Sequence, residues 1–134
     1  MDDVIVGKVA SLQRCISRAR AEYAASQDFA NDFTHQDAAI LNVLRACEQA
    51  IDLAAHIIRT RKLGIPADSR EAFKLLYEAQ IITSQLFNRL SAMVGFRNAV
   101  VHTYQKMDIA IVIDVIQTGL SDLLQFTDII LALA

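Results

Sequence analysis

The chain has 134 residues, 54% of them hydrophobic, and carries a formal net charge of −2. This length is enough for a single domain over residues 1–134 with a substantial core, and the charge excludes the strongly basic balance of a typical nucleic-acid binder. The first residues, Met1, Asp2 and Asp3, do not resemble the basic start of a signal peptide, so we expect none. We also expect no apolar run of membrane-spanning length, and therefore a cytoplasmic protein with no membrane partner.

The hydrophobic pattern predicts helices along the whole chain, since apolar residues recur at helical spacing and no sustained alternation of strand type is present. With one proline and four glycines, the chain has few residues that break helices. A first helix is predicted over residues 3–25, and a polar connection follows over residues 26–33. A second helix is predicted from residue 34 to about residue 62, where Gly64 and Pro66 would end it.

Three further helices are predicted in the second half of the chain. Each begins beside a residue type that caps helix N-termini: Asp68 or Ser69, Thr83 or Ser84, and Asp108. The first of these helices is short, the next leads directly into residues 97–104, and the last covers residues 109–133. The sequence therefore predicts an all-α fold, an antiparallel bundle of four main helices plus one short helix.

The last predicted helix is apolar over much of its circumference and contains no lysine or arginine. A helix that is apolar on more than one face needs more than one partner surface. The second partner could be another copy of the chain, which favours a homodimer. Alternatively, the helix could lie at the centre of its own bundle.

A cluster of polar residues interrupts the apolar sequence between Gly95 and Tyr104. Arg97, Asn98 and His102 stand in this stretch, and the phenol of Tyr104 follows two residues after the histidine. Arginine is always cationic and can bind a phosphate through a planar set of donors. Histidine can accept and donate a proton near neutral pH. This pair supplies what RNA cleavage needs when no metal is used, so we place the function in this stretch.

The pattern Arg97-x4-His102-x-Tyr104 resembles the R-x4-6-H motif of HEPN domains, which are also small and all-helical. It is most similar to the R-x4-H-x-Y motif of HEPN toxins encoded beside a minimal nucleotidyltransferase (MNT) antitoxin. In that group a polar residue such as Asn98 commonly follows the arginine. An R-x4-H string alone is a weak signal, but the asparagine, the tyrosine, the helical context and the chain length make the resemblance more specific.

This resemblance implies a metal-independent endoribonuclease that acts as the toxin of a type II or type VII-like toxin–antitoxin pair. Its active site would lie in the cleft of a homodimer, with Arg97 and His102 as catalytic residues and Asn98 as a supporting residue. The MNT antitoxin would neutralise the toxin by binding, by adenylylation of Tyr104, or by both. The resemblance implies no cofactor and no metal ion.

The residue types are consistent with this chemistry. RNA carries its own nucleophile, the 2′-hydroxyl, whose proton a base must accept while an acid protonates the leaving 5′-oxygen. His102 can serve as base or acid, and Arg97 can neutralise the charge that builds on the phosphate oxygens. One motif histidine per chain is too few for both proton transfers, so we expect a dimer that brings two together. DNA lacks the 2′-hydroxyl and would not be cut.

The spacing of the motif limits how its residues can meet. In a continuous helix Arg97 and His102, at i and i+5, point well apart. Asn98 and His102 share one face at i and i+4, and Arg97 and Tyr104 share another at i and i+7. Either the helix ends or bends inside the motif, which Gly95 could permit, or Arg97 works with the partner subunit's His102.

Each motif residue also has an ordinary structural explanation. Arg97 could be a surface arginine at a helix end, His102 a histidine favoured by the helix dipole, and Tyr104 a half-buried aromatic residue. The rival function is a non-catalytic helical HEPN subunit that binds a nucleotide or the nucleotidyltransferase. The acidic balance and wide apolar faces favour this rival, whereas the intact Arg97 and His102 pair favours the nuclease.

Other histidines and carboxylates are weaker candidates. His35 is expected to be solvated, and the i, i+4 pair of Asp52 and His56 predicts a surface hydrogen bond rather than a catalytic dyad. Glu48 and Asp52 could orient Arg97 or His102, although a solvated face is the simpler expectation.

The remaining candidates are basic residues and thiols. The basic group at the end of the second helix is explained by the helix dipole, but it could also extend an RNA path; its members are Arg59, Arg61 and Lys62. Cys15 and Cys47 fit no metal-ligand spacing and are expected to be reduced, buried thiols.

Overall fold

The computed structural model describes residues 2–133, and the regular elements of this range are all helical. The bundle consists of five helices: α1 (Asp3–Ala25), α2 (Phe33–Arg61), α3 (Ser69–Glu78), α4 (Ser84–Thr103) and α5 (Ile109–Leu133). Short 3₁₀ turns, Phe29–Asn31 and Tyr104–Lys106, precede α2 and follow α4. The predicted all-α architecture of four long helices and one short helix is confirmed.

A side-chain oxygen caps the first turn of each helix. Asp32 accepts from the backbone amide of His35 at 3.1 Å, and Asp68 accepts from that of Glu71 at 2.8 Å. The other three caps are Asp2, Thr83 and Asp108. Because such caps satisfy backbone donors that lack a partner within the helix, they explain why the helices start within one residue of their predicted positions.

α5 packs against α1, α2 and α4. Its buried side chains are spread along its length: Val112, Ile116, Leu120, Leu123, Phe126 and Ile130. Phe126 meets Phe73 of α3 edge to face, with ring centroids 5.5 Å apart. The buried residues of α5 form one stripe, whereas other apolar residues of α5 are only partly buried and Ile111 is 53% exposed. The homodimer therefore stays a prediction.

The length and composition of α5 would also allow it to cross a membrane. The expectation that no run reaches such a length is therefore wrong for this helix. Core helices of soluble proteins can have the same length and apolar composition, so one such helix is weak evidence for a membrane span.

α5 contains one wider turn, because Val115–Gly119 is π-helical. The sequence predicts a regular helix here, so this turn is a difference from expectation. Gly119 lies against α4: a Cβ at this position would be 3.0 Å from the Sδ atom of Met93. The absence of a side chain at Gly119 therefore lets α4 and α5 approach closely.

The end of α2 is formed by Lys62 rather than by Gly64 and Pro66. Lys62 adopts a left-handed conformation with φ 54° and ψ 52°, and the Leu63 amide donates to the Ile58 carbonyl at 2.9 Å. Glycine usually occupies the left-handed position of such a helix end because a Cβ is unfavourable there. Lys62 thus carries backbone strain that the sequence pattern does not indicate.

Lys62→Gly is expected to increase the free energy of unfolding by about 0.5–1 kcal/mol, because glycine adopts the left-handed conformation without a steric cost. Urea denaturation followed by circular dichroism would measure the change. Lys74→Gly, inside α3, is the matched control and should destabilise by about 1 kcal/mol. Equal destabilisation by both variants would show that Lys62 is not strained.

Candidate active site

α4 packs antiparallel against α2, and this contact positions the motif residues. Glu48 in the middle of α2 binds Arg97, and Asp37 near the start of α2 binds Tyr104. Arg97 and Tyr104 are separated by about two helical turns, so both lie on the side that faces α2. The predicted shared face of these two residues is confirmed.

The guanidinium group of Arg97 is fixed by residues from two other helices. Its Nη1 atom donates to Glu48 Oε1 at 3.1 Å, and its Nη2 atom donates to Ser69 Oγ at 2.9 Å. The Nε atom is buried and has no hydrogen-bond partner among residues 2–133. Because 21% of the side chain is exposed and an arginine has five N–H donors, Arg97 is held in place with donors left for an anion.

The phenol of Tyr104 donates a hydrogen bond to Asp37 Oδ1. Burial raises the pKa of Tyr104 to about 12, and the hydrogen bond to Asp37 and the charge of its carboxylate act in the same direction. Each of these causes disfavours the phenolate. Tyr104 is nevertheless 40% exposed and lines a surface cavity with His102.

Asn98 and His102 lie on the exposed side of α4, one turn apart, as their i, i+4 spacing predicts. His102 stands in the last turn of the helix and lines a cavity of about 370 Å³ together with Tyr104 and Lys106. No side chain of residues 2–133 forms a hydrogen bond or ion pair with its ring. The imidazole is therefore free to contact an external ligand.

The helix is continuous from Arg97 to His102, because α4 ends at Thr103 and Gly95 lies within regular helix. A bend or helix end that would bring Arg97 to His102 of the same chain is not present, so that alternative is wrong. The other alternative, in which Arg97 works with the partner subunit's His102, stays a prediction. Gly95 instead faces Arg70, whose Nη2 atom would be 3.0 Å from a Cβ at this position.

Glu48 and Asp52 differ in their surroundings although they are one turn apart on α2. Glu48 has 42% of its side chain exposed and also contacts Arg97, so it is both partly solvated and placed to orient the arginine. Asp52 instead binds Lys8 Nζ of α1 at 3.0 Å.

The remaining histidines have structural partners. His56 binds Asp2 at the start of α1, not Asp52, so the predicted i, i+4 hydrogen bond is wrong. This contact lowers the pKa of the Asp2 carboxyl. His35 lies between Asp32 and Glu22 and is only partly exposed, so it is not the freely solvated residue that the sequence predicts.

Both cysteines are free and buried, as predicted. Burial raises the pKa of the Cys47 thiol to about 12, so this thiol stays protonated at neutral pH. Within residues 2–133, no group of three or more His, Cys, Asp or Glu side chains could hold a metal ion.

Two residues of the site escaped the sequence analysis, namely Asp37 and Ser69. Asp37 and Glu48 are separated by about three helical turns, so they lie on one stripe of α2. Tyr104 and Arg97 likewise share one face, about two turns apart, so one face of the motif meets one stripe of α2. The position of Asp37 on the stripe of Glu48 is a signal that could have identified it, whereas the sequence indicated Ser69 only as a possible helix cap.

Ultraviolet titration of the phenols should show one tyrosine ionising near pH 12, and Tyr104→Phe should remove that transition. Asp37→Asn is expected to lower the pKa of Tyr104 only in part, because burial is the largest cause of its elevation. The stabilisation associated with protonated Tyr104 is complete below its ordinary pKa of about 10 and is lost as pH rises toward 12. A high-pH transition that persists in Tyr104→Phe would show that another tyrosine causes it.

The chain matches the family described as Ribonuclease HepT-like over residues 12–130. It is also 46% identical to the mRNA nuclease HepT of Shewanella oneidensis over 132 residues, which represent 98% of this chain and 99% of that protein.

Two solved structures share the fold of this chain. One is a tri-AMPylated HEPN toxin of Shewanella oneidensis in complex with MNT antitoxin, with a TM-score of 0.93 and 46% identity over 98% of this chain and 99% of that one. The other is a toxin–antitoxin crystal structure with AMP-PNP, with a TM-score of 0.92 and 45% identity over 97% of this chain and 99% of that one. The HEPN-like fold expected from the motif is confirmed, and the chain belongs to the HepT-like ribonuclease family.

Proposed function

We propose that this protein is the RNA-cleaving toxin of a toxin–antitoxin pair, an endoribonuclease whose catalytic residues are Arg97 and His102. One observation carries the proposal. Arg97 is fixed by Glu48 and Ser69 through two of its N–H donors, which leaves others unused, and His102 is exposed and lines a cavity. One group can bind a phosphate and the other can transfer protons. The Shewanella oneidensis relative is an mRNA nuclease, so messenger RNA is the substrate class to test first.

The cleavage step is an internal attack of the RNA on its own backbone. The 2′-oxygen forms a bond to the adjacent phosphorus as a base accepts its proton, and the bond to the 5′-oxygen breaks as an acid protonates it. The products are a 2′,3′-cyclic phosphate and a 5′-hydroxyl. His102 acts as base or acid, and Arg97 neutralises the charge on the phosphate oxygens. Neither role needs a metal ion, so cleavage is expected to be metal-independent.

Asn98 is the supporting residue of this proposal. It lies one turn before His102 on the same exposed face of α4. Its amide can both donate and accept a hydrogen bond, so it can hold the RNA strand beside the imidazole.

A homodimer would complete the site. Arg97 faces α2, whereas His102 faces outward, and one chain supplies one motif histidine for two proton transfers. Exposed apolar side chains that could be covered by a second copy lie beside the motif: Leu41, Val101 and Tyr104 are 44%, 59% and 40% exposed. A two-fold axis at this surface would bring two His102 side chains to one cleft.

Control by an MNT-type nucleotidyltransferase antitoxin is the second part of the proposal. In adenylylation, the Tyr104 oxygen would form a bond to the α-phosphorus of ATP as pyrophosphate leaves, and Asp37 is placed to accept the phenolic proton. The added AMP would place bulk and negative charge in the cavity that Tyr104 shares with His102. RNA phosphate would then be excluded, and tight binding of the antitoxin could act alone or together with this modification.

Purified protein incubated with labelled RNA in EDTA is expected to cleave it and leave 2′,3′-cyclic phosphate ends. Arg97→Ala and His102→Ala should each lower the cleavage rate by roughly 100-fold or more, because loss of a general acid–base group or of a phosphate-binding cation has such effects. DNA of the same sequence should stay intact.

The matched controls for this experiment are Arg59→Ala and His35→Ala, which remove the same residue types elsewhere. Mass spectrometry must first show that Tyr104 carries no AMP. If unmodified wild-type protein leaves RNA intact, the rival function applies, a helical HEPN subunit that binds a nucleotide or the nucleotidyltransferase without cleavage.

Glu48→Ala should lower the turnover number roughly tenfold because Arg97 loses the carboxylate that positions it, and small displacements of such groups are costly. Glu48→Gln keeps an acceptor at the same place and should retain most of the activity. Asp52→Ala, one turn along α2 and bound to Lys8, is the control. If Glu48→Ala raised the turnover number instead, Glu48 would compete with the RNA phosphate for Arg97 and would not position it for catalysis.

A further inference from the structure

A second concave surface lies between α1 and α2, on the face of α2 next to the one that contacts α4. It encloses about 490 Å³. We name it the arginine groove after the three arginines that line it, Arg14 and Arg18 from α1 and Arg45 from α2. The other lining residues are Ser11, Cys15, Ala38, Leu41 and Asn42.

The charge of this groove is unusual for the protein. The chain carries a net charge of −2, yet no aspartate or glutamate lines the groove. Arg14 and Arg45 form no ion pair with any residue in the range 2–133, and Arg18 reaches Glu22 at only 3.7 Å with 63% of its side chain exposed. Such an exposed pair is weak, so three cations converge on one concave surface with little compensation.

The groove adjoins the candidate active site. Leu41 lines both the arginine groove and the hollow that contains Tyr104 and Val101. At a rise of 1.5 Å per residue, Arg45 lies about 12 Å along α2 from Asp37, the residue that binds Tyr104. The other basic group, which consists of Arg59, Arg61 and Lys62, begins about 33 Å along α2 from Asp37.

We propose that the arginine groove binds the phosphate backbone of the RNA strand whose neighbouring segment is cleaved at His102, an inference that rests on the proposed function. Guanidinium groups bind phosphate oxygens with two parallel hydrogen bonds. Arg14 and Arg18 lie one turn apart, about 6 Å, and Arg45 faces them across the groove. No aromatic side chain lines it, so it contacts the backbone rather than stacking bases.

The test compares two triple variants that remove the same number of charges. One is Arg14→Gln, Arg18→Gln and Arg45→Gln; the other is Arg59→Gln, Arg61→Gln and Lys62→Gln. Binding is measured by fluorescence anisotropy with a 2′-O-methyl RNA oligonucleotide, which lacks the nucleophile and stays intact. Cleavage of unmodified RNA is measured in parallel, and circular dichroism confirms that both variants are folded.

The groove variant should bind RNA roughly tenfold to fiftyfold more weakly, and the slope of log Kd against log salt should fall by about 2, as expected for three lost phosphate contacts on a single strand. Its KM should rise while kcat at saturating RNA stays within about twofold, because Arg97 and His102 are untouched. The control variant should lose far less affinity and keep its salt slope.

Equal losses of RNA affinity in the two triple variants would overturn the proposal, since the weaker binding would then reflect net charge alone. Unchanged RNA binding by the groove variant would also overturn it, even if wild-type protein cleaves RNA and the proposed function stands. If wild-type protein binds the oligonucleotide through the groove but cleaves no RNA, the groove stands and the nuclease proposal fails.

Discussion

The antiparallel packing of α4 on α2 is the contact on which the candidate site depends. Two carboxylates on one stripe of α2, Asp37 and Glu48, bind the phenol and the guanidinium of the motif. The pair of Glu48 and Arg97 is partly exposed, at 42% and 21% of the side chains, so it contributes no more than about 1 kcal/mol to folding. Its main effect is to fix where the cation lies and which way the motif faces.

α2 organises the charges on both of its long sides. Toward α4 it presents the two carboxylates, which hold their partners close to the helix surface. Toward α1 it presents Arg45, which adds to the cations of α1. One helix can therefore stabilise motif residues on one side and attract an anionic chain on the other, although the protein as a whole is weakly acidic. Net charge is thus a poor guide to what this chain binds.

Much of the fold could be predicted because its signals are local. Asp32, Asp68 and Asp108 mark helix starts through hydrogen bonds to amides two or three residues away. The motif was visible for the same reason, since its residues lie within eight positions of one another. The faces of Arg97, Asn98, His102 and Tyr104 then followed from helical periodicity.

The features that could not be predicted depend on contacts between distant parts of the chain. Asp37 meets Tyr104 across 67 positions, and His56 meets Asp2 across 54, where local spacing favoured Asp52. Lys62 adopts a left-handed conformation although Gly64 and Pro66 are the stronger local signals. In each case packing of one helix against another determines the outcome, and no single window of sequence contains both partners.

The π-helical turn in α5 has a consequence for how this helix tolerates changes in length. A π turn contains one residue more than the α turn it replaces, so the segments on either side keep their places if one residue is removed from within it. Thr118 is exposed, and its hydroxyl donates to the Asp114 carbonyl at 2.7 Å. Deleting Thr118 would therefore remove a surface hydrogen bond and no buried side chain. A deletion between the π turn and Phe126 would rotate all later residues by about 100° and turn Phe126 away from the core. The wide turn is thus the position in α5 where one residue could be removed while the segments on either side keep their places in the bundle.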